Sequence, residues 1–170
     1  AGAALFTLTV AVVAAPGPIL DASVGWDSSV GNAAPDTTAA ALWSHLETEN
    51  YRENWALWPG KGRLYEGAEP HGMLLTTYYD ETASDALERG ALEDLPSGSI
   101  LVKENYMPDG TLAAITVMVK RTGYNPDHQD WLFAKYDPSG EAEAFGRVAG
   151  CQACHSAAPS GAYIFTPLDD

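Results

Sequence analysis

The sequence predicts an α+β fold, a small antiparallel β-sheet packed with helices and preceded by an apolar N-terminal helix. Three observations predict it. Four runs rich in β-formers lie between residues 72 and 136, joined by short connections that suit antiparallel neighbours. Helical patterns precede and interrupt these runs. The first 20 residues carry no charge.

Residues 1–20 read AGAALFTLTVAVVAAPGPIL. As a helix, 20 residues span about 30 Å, one bilayer core. A signal remnant is the competing reading, but no basic residue opens the run, so a retained membrane anchor is expected. That helix ends near Ala15, because Pro16 and Pro18 cannot continue it. Residues 21–38 are rich in Ser, Gly, Asn, Asp and Pro and read as a linker. The folded domain is expected over 39–170. Asp36, Thr37 and Thr38 can cap a first helix, whose apolar residues Ala39, Leu42, Trp43 and Leu46 share one face.

Pro59-Gly60-Lys61-Gly62 forces a turn. A strand follows over 72–79, then a helix over 82–89 that Gly90 stops. Further strands are expected over 99–106, 112–120 and 131–136. Pro108-Asp109-Gly110 and Asp137-Pro138-Ser139-Gly140 make turns. At 170 residues the chain suits one domain plus an extension.

Net charge is −14, with nine basic residues against 23 acidic ones. This argues against nucleic acid and against an anionic membrane surface as partners. It permits steering of a basic redox partner, and it also serves plain solubility.

Cys151-Gln152-Ala153-Cys154-His155 is a C-x-x-C-H run, the attachment signature of a c-type haem. Two intervening residues let one helical turn carry both thiols to the two haem vinyl groups. His155 is then placed to bind the iron. The competing readings are a disulfide, a thioredoxin-like redox pair and half a zinc site. Zinc would want a second Cys/His pair, and the sequence has none at ligand spacing. Haem attachment implies the periplasmic side of a membrane, with residues 1–20 as the anchor.

Small c-type cytochromes are ordinarily helical and carry this motif early. Here it comes late, after a sheet. The chain resembles the cytochrome P-460 family and its relative cytochrome c′-beta from about Trp43 to Thr166. The residues that carry the resemblance are Trp58-Pro59-Gly60, Pro70-His71-Gly72, Ile100 to Tyr106, Thr116 to Lys120, Gly123-Tyr124-Asn125, Trp131 to Tyr136, Cys151 to His155, and Tyr163 to Thr166. The resemblance implies a small antiparallel sheet, one five-coordinate haem c and commonly a homodimer.

It also singles out Lys103. In P-460 proteins the lysine of the Val-Lys-Glu strand is bonded covalently to the haem, and those proteins oxidise hydroxylamine. The c′-beta members lack the cross-link and bind nitric oxide or carbon monoxide. The competing reading is a snorkelling strand lysine. Alternation puts Lys103 with Leu101 and Asn105, opposite Val102 and Glu104. The enzymes carry an acid and an arginine where this chain has Thr116 and Leu75, so a mainly apolar distal pocket and weak hydroxylamine turnover are expected.

His71 could approach the distal side or bind the iron; a turn histidine bonded to backbone is the blander expectation. His45 and His128 read as surface residues. Met73, Met107 and Met118 are axial candidates by residue type alone. Tyr106, Tyr124, Trp131 and Phe133 are expected in the core first and at the haem second. The functional expectation is a haem c protein for electron transfer or small-gas binding, partnered by a redox protein or a membrane complex. The alternative is a hydroxylamine- or nitric-oxide-converting oxidoreductase with a Lys103 cross-link.

Overall fold

A computed structural model describes residues 38–168. The expected anchor over 1–20 and the linker up to residue 37 lie outside the described residues. No helix among the described residues is long and apolar enough to cross a membrane.

Helix α1, Ala39–Thr48, starts where the hydroxyl of Thr38 accepts a hydrogen bond from the Ala41 amide. Its buried face is Leu42 and Leu46, with Ala39 and Trp43 packed beside them. A short α2, Tyr51–Asn54, follows. Seven strands form one antiparallel sheet among the described residues. They are β1 (Ala56–Leu57), β2 (Tyr65–Glu66), β3 (Leu74–Tyr79), β4 (Ile100–Tyr106), β5 (Leu112–Lys120), β6 (Trp131–Tyr136) and β7 (Ala142–Gly146). The order is β1-β3-β4-β5-β6-β7, with β2 also paired to β3. Helix α3, Glu81–Glu88, is capped by Asp80, whose carboxylate accepts from the Ala83 and Ile100 amides. The last helix, α4, is Ala149–His155.

The sheet is covered on both faces. On one, Val102, Ile115, Val117, Val119, Leu132 and Tyr136 pack against α1 and α2. On the other, Leu101, Trp131 and Phe133 meet Ala83, Ala86 and Leu87 of α3 and the C-terminal residues Tyr163 and Ile164. Burial on both faces is why β6 is a nearly continuous apolar run. The three central expected strands match β4, β5 and β6 within one residue. Strand β7 and the two-residue β1 and β2 were not expected.

Candidate functional site

Register builds one wall of a cleft. Thr77 on β3 pairs with Lys103 on β4, which pairs with Thr116 on β5. One row over, Leu101 pairs with Met118, which pairs with Phe133. Because side chains alternate, all six project from one face of the sheet. The segment after α4 closes the other side with Ile164, Phe165 and Thr166, and Trp58 closes an end. The cleft holds about 540 Å³ of empty space, counting space open to solvent. Its lining is mainly apolar and contains no carboxylate.

Helix α4 brings two predicted residues here. Cys151 and His155 both line the cleft, as residues four apart on one helix face should. Cys154 is exposed, and both thiols are free. His155 is buried. Its Nδ1–H donates to the Tyr163 carbonyl at 2.6 Å, which leaves Nε2 unengaged. Tyr163 reaches that position with φ of +66°, the left-handed region that non-glycine residues rarely adopt. The loop before β6 holds this segment in place. His128 Nδ1 lies 3.1 Å from the Tyr163 hydroxyl, Gln129 Nε2 donates to the Gly161 carbonyl, and Trp131 Nε1 donates to the Ala162 carbonyl. His128 is therefore a half-buried support residue rather than a plain surface one.

Lys103 also lines the cleft, partly buried, with Nζ donating to the Thr166 hydroxyl at 3.3 Å. Desolvation pulls its pKa down to about 8. His71 lines the cleft as well, 5.9 Å from His155 between ring centres. Its Nδ1 lies 3.5 Å from the Thr116 hydroxyl. Burial, then the charges of Lys103 and His155, lower its pKa to about 4. The expectation of a turn histidine tied to backbone through its ring does not hold. Burial lowers the pKa of His155 too.

Other candidates fall elsewhere. Met73 and Met107 are about half exposed, at 46% and 52%, and do not line the cleft. Met118 does. Phe133 lines it, Trp131 belongs to the adjoining core, and Tyr124 packs on the opposite face. Thr116 is in the lining; Leu75 is buried opposite Asn105 and is not. His45 lies on α1, with its ring 6.5 Å from Trp55.

One polar cluster had no signal in the chain order. Glu104 is 1% exposed, on the sheet face away from the cleft. Its carboxylate accepts from the hydroxyls of Tyr51, Tyr78 and Tyr106 at 2.9, 3.3 and 2.6 Å, and from Arg52 Nε. The alternation that puts Lys103 in the cleft assigns Glu104 to the opposite face, and that was the one available clue.

The family model for cytochrome P460 matches residues 48–166, well over half of the chain. The chain belongs to the cytochrome P460 family. This P460 chain is accordingly a haem protein, and its family binds haem covalently. No curated protein matches the chain. The cleft fits such a group by its own chemistry. It offers an apolar slot, an imidazole whose Nδ1 is already tied, and a thiol one helical turn away. Among the described residues no cluster of three or more His, Cys, Asp or Glu could hold a lone metal ion.

Proposed function

We propose that the chain is a c-type haem protein for electron transfer that also binds small gases such as nitric oxide and carbon monoxide. Cys151 and Cys154 form the thioethers and His155 supplies the proximal nitrogen. The observation that carries this reading is the convergence of Cys151, His155 and Lys103 on one mainly apolar cleft. Bound haem supplies a one-electron iron couple whose use depends on the polarity and access of its surroundings. The chain's own residues do the rest. The Tyr163 carbonyl fixes the tautomer and plane of His155 and raises its basicity. Phe133 and Phe165 flank it, with ring centres 5.3 and 5.6 Å from that of His155.

Mass spectrometry of the denatured holoprotein tests the attachment. One added haem on the peptide containing Cys151 and Cys154 is expected, and an apoprotein mass with two free thiols would end this reading. His155→Ala should keep the thioethers and change the optical spectrum.

A second reading has its own support. Lys103 stands in the cleft with a pKa lowered to about 8, so an appreciable share of it is the nucleophilic free amine at neutral pH. That is the state a Lys103–haem cross-link and a hydroxylamine- or nitric-oxide-converting enzyme would call for. Against it stands the lack of a carboxylate in the lining, with Thr116 there instead. A missing general base costs about 10²–10⁴ in rate. The reduced optical spectrum separates the two, because a cross-linked macrocycle absorbs far from an ordinary haem c. Rapid hydroxylamine oxidation would promote the second reading.

We propose further that the protein works on the periplasmic side, anchored through residues 1–20, and meets a redox protein or membrane complex there.

A further inference from the structure

We propose that His128, Gln129 and Trp131 are positioning residues for His155. Together they set where the Tyr163 carbonyl stands, and through it the strength of the proximal nitrogen. This rests on the haem reading above.

Three donors or acceptors from one short stretch are spent on three consecutive residues. Gln129 Nε2 donates to the Gly161 carbonyl at 2.6 Å, and Trp131 Nε1 to the Ala162 carbonyl at 3.3 Å. His128 Nδ1 lies 3.1 Å from the Tyr163 hydroxyl, with the two rings edge to face at 6.0 Å. The Tyr163 carbonyl is the acceptor for His155 Nδ1. Residues 161–165 belong to no helix or strand, so no ladder fixes that carbonyl. Ser160 braces the segment from within, bonding the Ala162 amide and the Ile164 carbonyl. The stretch 128–131 braces it from the sheet.

The loop that does so is preset. Gln129 and Asp130 take φ of +51° and +62°, two left-handed non-glycine residues in succession. Such conformations persist where the surroundings over-determine them, and they gather at functional sites. Here the buried Asn125 over-determines them. Its amide donates to the Asp130 carboxylate at 3.0 Å and its Nδ2 to the Trp131 carbonyl at 3.2 Å. Its own carbonyl accepts from the His128 and Asp130 amides at 2.9 and 2.8 Å. Trp131 is fully buried, with Lys120 Nζ 4.9 Å from its ring centre. Tyr163 is left-handed too, at +66°. The strain therefore lies on both sides of the contact that feeds the His155 acceptor.

An acceptor on the far nitrogen makes a ligating imidazole more basic. A more basic ligand favours the more highly charged ferric state, so a loosened carbonyl should raise the reduction potential.

The test uses the haem-loaded full chain and reads three quantities: reduction potential, the ferrous iron–histidine Raman band and the urea midpoint. His128→Phe and Tyr163→Phe each remove the same contact. Each should raise the potential and lower the band frequency. Their double variant should go no further than either alone, since one bond is lost in all three. Gln129→Met should shift both quantities in the same direction. His128→Asn keeps a polar atom near the place of Nδ1 and should stay close to wild type. Outer partners of metal-bound histidines are worth about 10–100-fold, and these act one contact further out. The expected shift is therefore up to about tenfold in the ferric–ferrous ratio, about 59 mV for one electron. A lower urea midpoint with potential and band unmoved makes the loop a structural prop and overturns the proposal. So does a double variant whose shift is the sum of the two singles. A wild type without haem removes the haem reading itself, an outcome distinct from both. Should His128→Phe fail to take up haem, Tyr163→Phe and Gln129→Met decide.

Discussion

Lys103 and Glu104 are neighbours in the chain and occupy opposite faces of β4. One reaches into the cleft with a single hydroxyl partner; the other is buried among three tyrosines and an arginine. Glu104 is stable there only because each partner stays. Arg52, with 42% of its side chain exposed, can turn to water, but leaving buried hydroxyls without their acceptor costs about 1–3 kcal/mol. Glu104→Ala should lower stability by about that amount, read from the urea midpoint. Glu104→Gln keeps the shape and one acceptor and should cost less. Equal, small effects for both would mean the cluster contributes little. Gly140 gives a second test at this scale. Its φ is +90°, and a Cβ there would overlap the Trp43 ring at 2.2 Å. Overpacking of this kind costs about 1–3 kcal/mol, so Gly140→Ala should destabilise α1 against the sheet by that much.

At the scale of elements, β3, β4 and α2 are joined through that same tyrosine cluster, and its protons are linked to folding. Burial, followed by the Glu104 charge, raises the pKa of Tyr78 to about 12 and lifts those of Tyr51 and Tyr106 as well. An unfolded tyrosine titrates near 10, so above that pH the unfolded chain has shed protons that the native chain still holds. Stability should therefore be full below about pH 10 and fall as pH rises toward about 12. Melting temperatures measured from about pH 9 to about pH 11 check this; a flat profile would contradict it. Elements also differ in how plainly the sequence announces them. Strands β4 to β6 are dense in β-branched and aromatic residues and were legible almost to the residue. Strand β7, reading AEAFG, has low β-propensity and forms because the edge of β6 offers it hydrogen-bonding partners. Strands β1 and β2 have two residues each, too short for any periodicity to register.

At the scale of the whole molecule, charge and sidedness matter most. Net charge of −14 should favour a cationic electron donor or acceptor over an anionic one. Electron exchange with a cationic complex should slow as salt rises from about 0.01 to about 0.1 M, while the Debye length shrinks from about 30 to about 10 Å. Exchange with ferricyanide should speed up over the same range. Identical salt dependence for both would mean that net charge plays no part. The expected anchor is tested at this scale too. The full chain should partition with membranes, whereas a chain shortened to begin near Asp36 should remain in solution and keep its haem. Site legibility followed the same divide between local and distant. Cys151, Cys154 and His155 were visible because their spacing is local. The approach of His71 to His155, 84 positions away, was not, because it arises from how a turn packs on the end of β4.

Helix α4 follows the last strand. Every strand that walls the cleft is therefore synthesised before Cys151 and Cys154. The pairs β4–β5 and β5–β6 join neighbours in sequence, so the wall can assemble early. On the proposed attachment through Cys151 and Cys154, a chain that stops short of residue 151 would have a wall and no means of fastening the cofactor. If α4 fastens the haem as proposed, colour would be conferred only on chains that reach α4.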